Sequence, residues 1–229
     1  RLPDQGRDCS PATCCIRYIS PPMPAQLYVI SAPSGAGKTS LIRALRERQP
    51  QLQLSTSHTT RPPRPTEQHG REYFFVTRPE FERMVDAGEF LEHAQVFDNR
   101  YGTSQRQLED KLAAGTDVIL EIDWQGARQV RRLLPGSRSI FILPPSREAL
   151  RTRLTGRQTD SPEVIARRLA DAVDDMGHFR EFDYVVVNQD FDRAVGDLEK
   201  ILAGQGETLR PDRPELAPLA RDLLDFPTA

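Results

Sequence analysis

Cysteine stops at residue 15. The three present, Cys9, Cys14 and Cys15, leave the rest of the chain without a thiol, so no disulfide framework can hold the fold. The four histidines, His58, His69, His93 and His178, form no HxxxH pair, and the cysteine spacing is not that of a zinc knuckle. Lysine is equally scarce: Lys38, Lys111 and Lys200 stand against 28 arginines. A lysine inside a glycine loop is therefore hard to read as accident. No apolar run approaches the roughly 20 residues of a membrane span, and no apolar signal core lies near the start. Charge of one sign is missing too. With 33 acidic against 31 basic residues and a net charge of −2, nothing draws the chain as a whole to nucleic acid or an anionic membrane. The expectation is a cytoplasmic protein with no nucleic-acid or membrane partner, and with room for a homo-oligomer.

What is present suits one core domain with insertions: 229 residues, 38% of them hydrophobic. Residues 1–22 hold four prolines and all the cysteines but no periodicity. They read as a non-native or disordered extension, with Met23 as the natural start. Residues 24–206 read as the folded domain. Residues 207–229 read as a Pro-rich C-terminal tail, an appendage with one amphipathic stretch at 215–224.

Within the domain, short apolar runs at 26–31, 117–122, 139–143 and 183–188 alternate with helical patterns at 37–49, 104–114, 125–134, 146–155, 162–179 and 191–203. That alternation predicts an α/β fold with a parallel sheet and helices on both faces. Two segments interrupt it. Residues 55–103 are rich in Arg, Pro, Glu and Tyr, with a strand expected in "REYFFV" and a helix at 79–87. Residues 151–170 are dense in arginine. The core then comprises 24–54, 104–150 and 171–206.

The first apolar run leads into "APSGAGKT", residues 32–39. The spacing is that of a phosphate loop, GxxxxGK[ST], with Ala32 in place of the first glycine. Gly35 and Gly37 permit the bend that turns backbone N–H groups into one hollow. The following helix adds the positive end of its dipole. Lys38 can reach the outer phosphates, and Thr39 can offer a hydroxyl to Mg²⁺. Such a loop predicts a bound nucleoside triphosphate, ATP, but motors, GTPases and small-molecule kinases share it.

The discriminating residues lie in the insert. Arg61 and Arg64 stand close together among Pro62, Pro63 and Pro65, with Arg71 and Tyr73 following. Arginine forks match phosphate oxygens, and the prolines limit the entropy lost on clamping an anion. A solvated basic loop is the plainer reading, above all for Arg71. Glu92 could accept the paired N1–H and N2–H₂ donors of guanine, or sit on a surface helix. Asp123 could hold a metal-bound water or cap a helix.

"SAPSGAGKTSL", "SHTTRPPRP", "FLEHAQVF", "YGTS", "EIDWQGA", "SIFILPPS" and "DYVVVN" occur in this order, and in that order they resemble the guanylate kinases, from about Leu27 to Ala203. The resemblance implies a phosphate-loop NTPase-type core, a GMP-binding lobe at 55–103 and an Arg-rich lid at 151–170. It implies ATP-dependent phosphorylation of GMP and dGMP, with Mg²⁺. It implies ATP on Ala32, Pro33, Ser34, Gly35, Ala36, Gly37, Lys38, Thr39, Ser40 and Asn188. The GMP phosphate would lie on Arg61, Arg64, Tyr73 and Tyr101, and guanine on Ser57, Glu92 and Thr103, with Glu121 and Asp123 lining the site and Glu67 also among the GMP-binding residues. Thr39 and Asp123 would serve the metal. Arg153, Arg157 and Arg168 would reach the phosphates from the lid and join Lys38 and Arg61 in catalysis. The chain departs from the family at Thr66, where Gly is usual, in "GRQTDS" at 156–161, and at Arg100, on an expected exposed turn. A kinase for another nucleoside monophosphate and a kinase-like module that only binds proteins are the competing readings. The intact "GKT" and arginines argue against the second, and Glu92 with Ser57 against the first.

Overall fold

The computed structural model describes residues 25–96, 98–155 and 162–224. The extension at 1–22 and the 156–161 stretch with Arg157 lie outside the described residues.

The chain enters through β1 (Leu27–Ser31), buried at every position. Its neighbours are β7 (Val118–Glu121) and β8 (Arg138–Leu143); beyond them lie β2 (Gln53–Leu54) and β9 (Tyr184–Val187). The order is β2-β7-β1-β8-β9, every pairing parallel. Consecutive residues of a strand face opposite sides, and both sides are covered, so the strands are apolar throughout rather than alternating. On one side Val29, Leu120, Phe141 and Val185 pack with Val130, Ala172 and Met176. These come from α4 (Trp124–Leu133) and α6 (Pro162–Gly177). On the other side Tyr28, Ile30, Ile119, Ile140 and Val186 meet Leu41, Ile42 and Leu45 of α1 (Lys38–Arg48) and Leu198 of α7 (Phe191–Leu202). Each such side chain contributes roughly 1.5–3 kcal/mol by leaving water. The expected strands and helices of the core recur within one to two residues of their predicted ends, while the strand expected in "REYFFV" is only Phe74–Phe75. The edge strand β2 was not expected, since two residues carry no periodicity.

A second sheet, β4-β3-β6-β5, holds the inserted residues. It is built from β3 (His58–Thr59), β4 (Phe74–Phe75), β5 (Phe90–Val96) and β6 (Asn99–Ser104). Helix α2 (Arg78–Asp86) starts where the Thr77 hydroxyl accepts Glu80 N–H at 3.3 Å, with Pro79 in its first turn. It buries Phe81 and Met84 against Phe90, a small core of its own. The β5–β6 hairpin pairs Glu92 with Thr103 and Ala94 with Tyr101. Gln129 of α4 locks this sheet to the main one: its side-chain oxygen accepts His93 N–H at 3.2 Å, and its amide donates to His93 O at 2.8 Å. Helix α3 (Gln105–Ala113) then returns the chain to the core.

The C-terminal stretch departs from expectation. The expected appendage is part of the main core. Helix α8 (Leu216–Leu224) buries Leu216, Ala220 and Leu223 in the cluster that holds Phe179 and Val185. Ahead of it, Arg213 donates to Val185 O at 2.9 Å and Arg210 to Asp183 O at 3.4 Å. Both carbonyls lie on the open side of edge strand β9, which the two arginines satisfy. A Pro-rich composition hid a segment whose apolar residues have a definite seat.

Candidate active site

One cleft of about 700 Å³ opens between the two sheets. Its floor is the loop between β1 and α1. Gly35 and Gly37 both take left-handed φ, +88° and +92°. At Gly37 a side chain is excluded twice over, because a Cβ would also come within 2.5 Å of the Asn188 amide. That amide donates to Ala36 O at 2.7 Å, and Arg153 of α5 (Arg147–Thr155) donates to the same oxygen at 3.3 Å and to Asn188 O at 3.2 Å. Ala36 is thus a buried anchor for the loop's shape. Helix α1 has no side-chain cap and no acid in its first turn. Its first N–H groups and dipole end therefore face an anion site.

Behind the loop, Glu121 accepts the Thr39 hydroxyl at 2.8 Å and lies 3.7 Å from the Lys38 ammonium. The carboxylate expected at the acceptor wall thus also touches the loop's cation and hydroxyl. Asp123 is the N-cap of α4, accepting Gly126 N–H at 2.9 Å, and it also lines the cleft. Burial raises its pKa, against the lowering effect of that N–H.

The facing wall comes from the second sheet and the segments flanking its strands: Ser57, Arg64, Tyr73, Glu92, Ala94, Val96 and Tyr101. Glu92 is 3% exposed. It is on a strand, so the surface-helix reading is wrong. Burial pushes its carboxyl up to about 7, with the hydrogen bond from Thr103 pulling down and Asp123 adding to the rise. The Thr103 hydroxyl donates to Glu92 at 2.6 Å and stays fully buried behind it. Tyr73 and Tyr101 meet edge to face at 6.0 Å, and burial holds the Tyr73 hydroxyl up at about 12.

Arg61 lies behind this wall. One guanidinium nitrogen, Nη2, donates to both Glu67 carboxylate oxygens at 2.8 and 2.9 Å, and the guanidinium carbon is 5.5 Å from the Tyr73 ring centre. Glu67 also accepts Arg64 N–H at 2.8 Å. Burial alone would raise the Glu67 carboxyl; the Arg61 and Arg64 bonds hold it below the usual range. Glu67 therefore touches the arginines, and its charge would repel a phosphate. Thr66 sits on an exposed turn closed by Glu67 N–H to Arg64 O at 3.0 Å. Arg100 is on strand β6, not on a turn, 3.6 Å from Glu82.

The cleft joins a triphosphate-type loop to a lobe carrying a buried carboxylate, and the comparisons agree with that pairing. The guanylate kinase family matches residues 24–205. The chain belongs to the guanylate kinase family. It is 57% identical over 202 residues to the guanylate kinase of Alkalilimnicola ehrlichii, covering 88% of this chain and all of that one. It is 60% identical over 181 residues to that of Thiobacillus denitrificans, covering 79% of this chain and 87% of that one. Among solved structures, the guanylate kinase of Anaplasma phagocytophilum superposes with a TM-score of 0.65 at 34% identity, covering 84% of this chain and 93% of that one. The reaction of this family is transfer of a phosphoryl group from ATP to GMP, and the chain is a nucleotide kinase enzyme on this ground.

Of the residues the guanylate kinase resemblance assigns, the cleft takes Ala32 to Gly35, Gly37 to Ser40, Ser57, Arg64, Tyr73, Glu92, Tyr101, Glu121, Asp123, Arg153 and Asn188. Ala36, Arg61, Glu67 and Thr103 stand behind it, and Arg168 is on α6 away from its lining. Asp175 was missed. It reaches the cleft from α6, and burial with the nearby Asp123 charge pushes its carboxyl to about 7. The Asp174-Asp175 pair on a helical pattern carries no signal of which acid turns inward.

Proposed function

We propose that the chain transfers the γ-phosphoryl of ATP to GMP or dGMP within this one cleft. The observation that carries the reading is the shared lining: loop residues 32–35 and 37–40 and the lobe's Ser57, Arg64, Tyr73, Glu92 and Tyr101 face the same space. A donor on the loop and an acceptor on the lobe can then meet in line.

The loop amides and Lys38 hold the triphosphate. Arg64 and the two tyrosines receive the GMP phosphate, and Arg61 joins them once it shares its guanidinium between Glu67 and the phosphate. Ionised Glu92 accepts guanine N1–H and N2–H₂, and Ser57 adds a hydroxyl. The GMP phosphate oxygen is already anionic, so its attack on the γ-phosphorus needs no base. That oxygen bonds to phosphorus as the bond to the β-phosphate oxygen breaks, and ADP leaves. The protein's work is alignment and charge neutralisation. Arg153, with Arg157 and Arg168, supplies further positive charge from the 151–170 stretch as it covers the cleft and excludes water.

Mg²⁺ fits the donors. The Thr39 hydroxyl and Asp123 are hard oxygen ligands beside the loop, and no group of three or more acidic, histidine or cysteine side chains among the described residues could form a cage. That suits an ion held mainly by phosphates, with the Thr39 hydroxyl and Asp123 as the protein oxygens that would hold it; it would supply charge neutralisation for the transferred phosphoryl group. No described helix is long and apolar enough to cross a membrane, and the setting we infer is the cytoplasm. The test is ADP release with ATP, Mg²⁺ and each of GMP, AMP and UMP. GMP should be turned over at least a hundredfold more efficiently than the others. Equal rates, or none with GMP, would overturn the reading.

A further inference from the structure

Gly126 stands at the third position of α4, inside a helix, where glycine is about 1 kcal/mol worse than alanine. Its backbone is right-handed; it is absent from the positive-φ glycines. Conformation therefore gives no reason for it. Space does. A Cβ added there would drive into the Glu92 carboxylate oxygen Oε2, against the Glu92 carboxyl carbon at 3.1 Å and 3.3 Å from Asp123 Oδ1. Those atoms cannot readily retreat. The other Glu92 oxygen is held by Thr103 at 2.6 Å, and Asp123 is held by the Gly126 N–H itself. Gly126 belongs to a helix of the core and Glu92 to a strand of the inserted sheet, and Gln129, one turn on, fastens α4 to β5 at His93.

We propose that Gly126 is a specificity-positioning residue: the missing side chain is the seat in which the Glu92 carboxylate rests, so α4 of the core sets where the lobe reads the acceptor base. This rests on the reading of Glu92 as the guanine acceptor. The carboxylate is pinned from two sides, by a hydroxyl on β6 and by bare backbone on α4. A methyl group at 126 would tilt it away from the plane in which two parallel donors must meet it.

The experiment compares Gly126→Ala with the parent in KM for GMP, KM for ATP, kcat and thermal melting, and repeats the melting comparison in a Glu92→Ala background. In the parent background KM for GMP should rise tenfold or more, with KM for ATP within twofold and the melting temperature lowered. In the Glu92→Ala background the collision with Glu92 is gone and only the 3.3 Å approach to Asp123 Oδ1 remains. The same substitution should then lower the melting temperature by at least about 2–4 °C less than in the parent, or raise it, as helix propensity favours alanine. That difference between backgrounds needs no activity and survives a variant too damaged to assay. If Gly126→Ala shifts the melting temperature alike in both backgrounds, or moves the two KM values together, the seat is refuted. Glu92→Gln separates the underlying reading: should it leave GMP turnover intact, Glu92 does not read guanine, whatever Gly126 does.

Discussion

The phosphate loop and the lobe face each other across one cleft and are made of different material. The loop is a backbone device. Two left-handed glycines and an uncapped helix start shape it, and its anchors, Asn188 and Arg153, grip a main-chain oxygen. The lobe is a side-chain device. Its two carboxylates sit in opposite environments: Glu67 is paired with Arg61 and held acidic, while Glu92 is desolvated and held up near 7. In this cleft the backbone offers donors to charge, and side chains offer the acceptor for a base. The difference teaches that donor binding should tolerate changes in the lobe and acceptor choice should tolerate changes in the loop.

The sharpest break of that contrast is Glu92→Gln. It puts an NH₂ where a guanine donor must land, so kcat/KM for GMP should fall by about 10²–10⁴, while AMP turnover holds or rises slightly. Steady-state kinetics with both acceptors check this. Lys38→Met should lower kcat by roughly 10²–10³ for either acceptor, the loss of one transition-state contact, with an unchanged fold by circular dichroism.

A third measurement sharpens the lobe's side through pH. The unfolded Glu92 carboxyl ionises near 4.5, and the folded one keeps its proton to about 7. Between those values the native state binds more protons, so stability falls as pH rises through the window, by at most about 3 kcal/mol. Denaturant melts of parent and Glu92→Gln from pH 4.5 to 8 should show a shallower decline in the variant; the remaining slope belongs to Asp175 and Asp123, whose carboxyls are also raised. The same variant should thus be the more stable protein above pH 7 and the poorer enzyme. Smallest is Glu67→Gln. Freed of its ion pair, Arg61 loses its aim, and KM should rise about tenfold for GMP and AMP alike, because a phosphate contact does not see the base.

The contrast also explains what was legible. The loop is written in consecutive residues, so Gly35, Gly37, Lys38 and Thr39 and their chemistry are readable from the chain, as are the four short apolar runs of the sheet. The lobe is assembled from residues far apart, and its logic is pairwise. Nothing in the sequence says that Arg61 folds onto Glu67, that Thr103 backs Glu92, or that Glu121 reaches Thr39 across 82 positions. Family resemblance named most of these residues but not which touch one another. Asp175 and Gly126 escaped because an acid on a helix and a glycine in "DWQGA" look ordinary until the opposing element is in place. In the tail, high proline content masks the helical spacing of Leu216, Ala220 and Leu223.

The most direct test of the central claim is calorimetric titration of GMP alone, and of a non-hydrolysable ATP analogue with Mg²⁺ alone, into the parent, Lys38→Met and Glu92→Gln. The account predicts a double dissociation: Glu92→Gln loses GMP affinity by a hundredfold or more and keeps the ATP analogue within twofold, while Lys38→Met does the reverse. Equal weakening of both ligands by either substitution would contradict the division of the cleft into a charge-reading loop and a base-reading lobe.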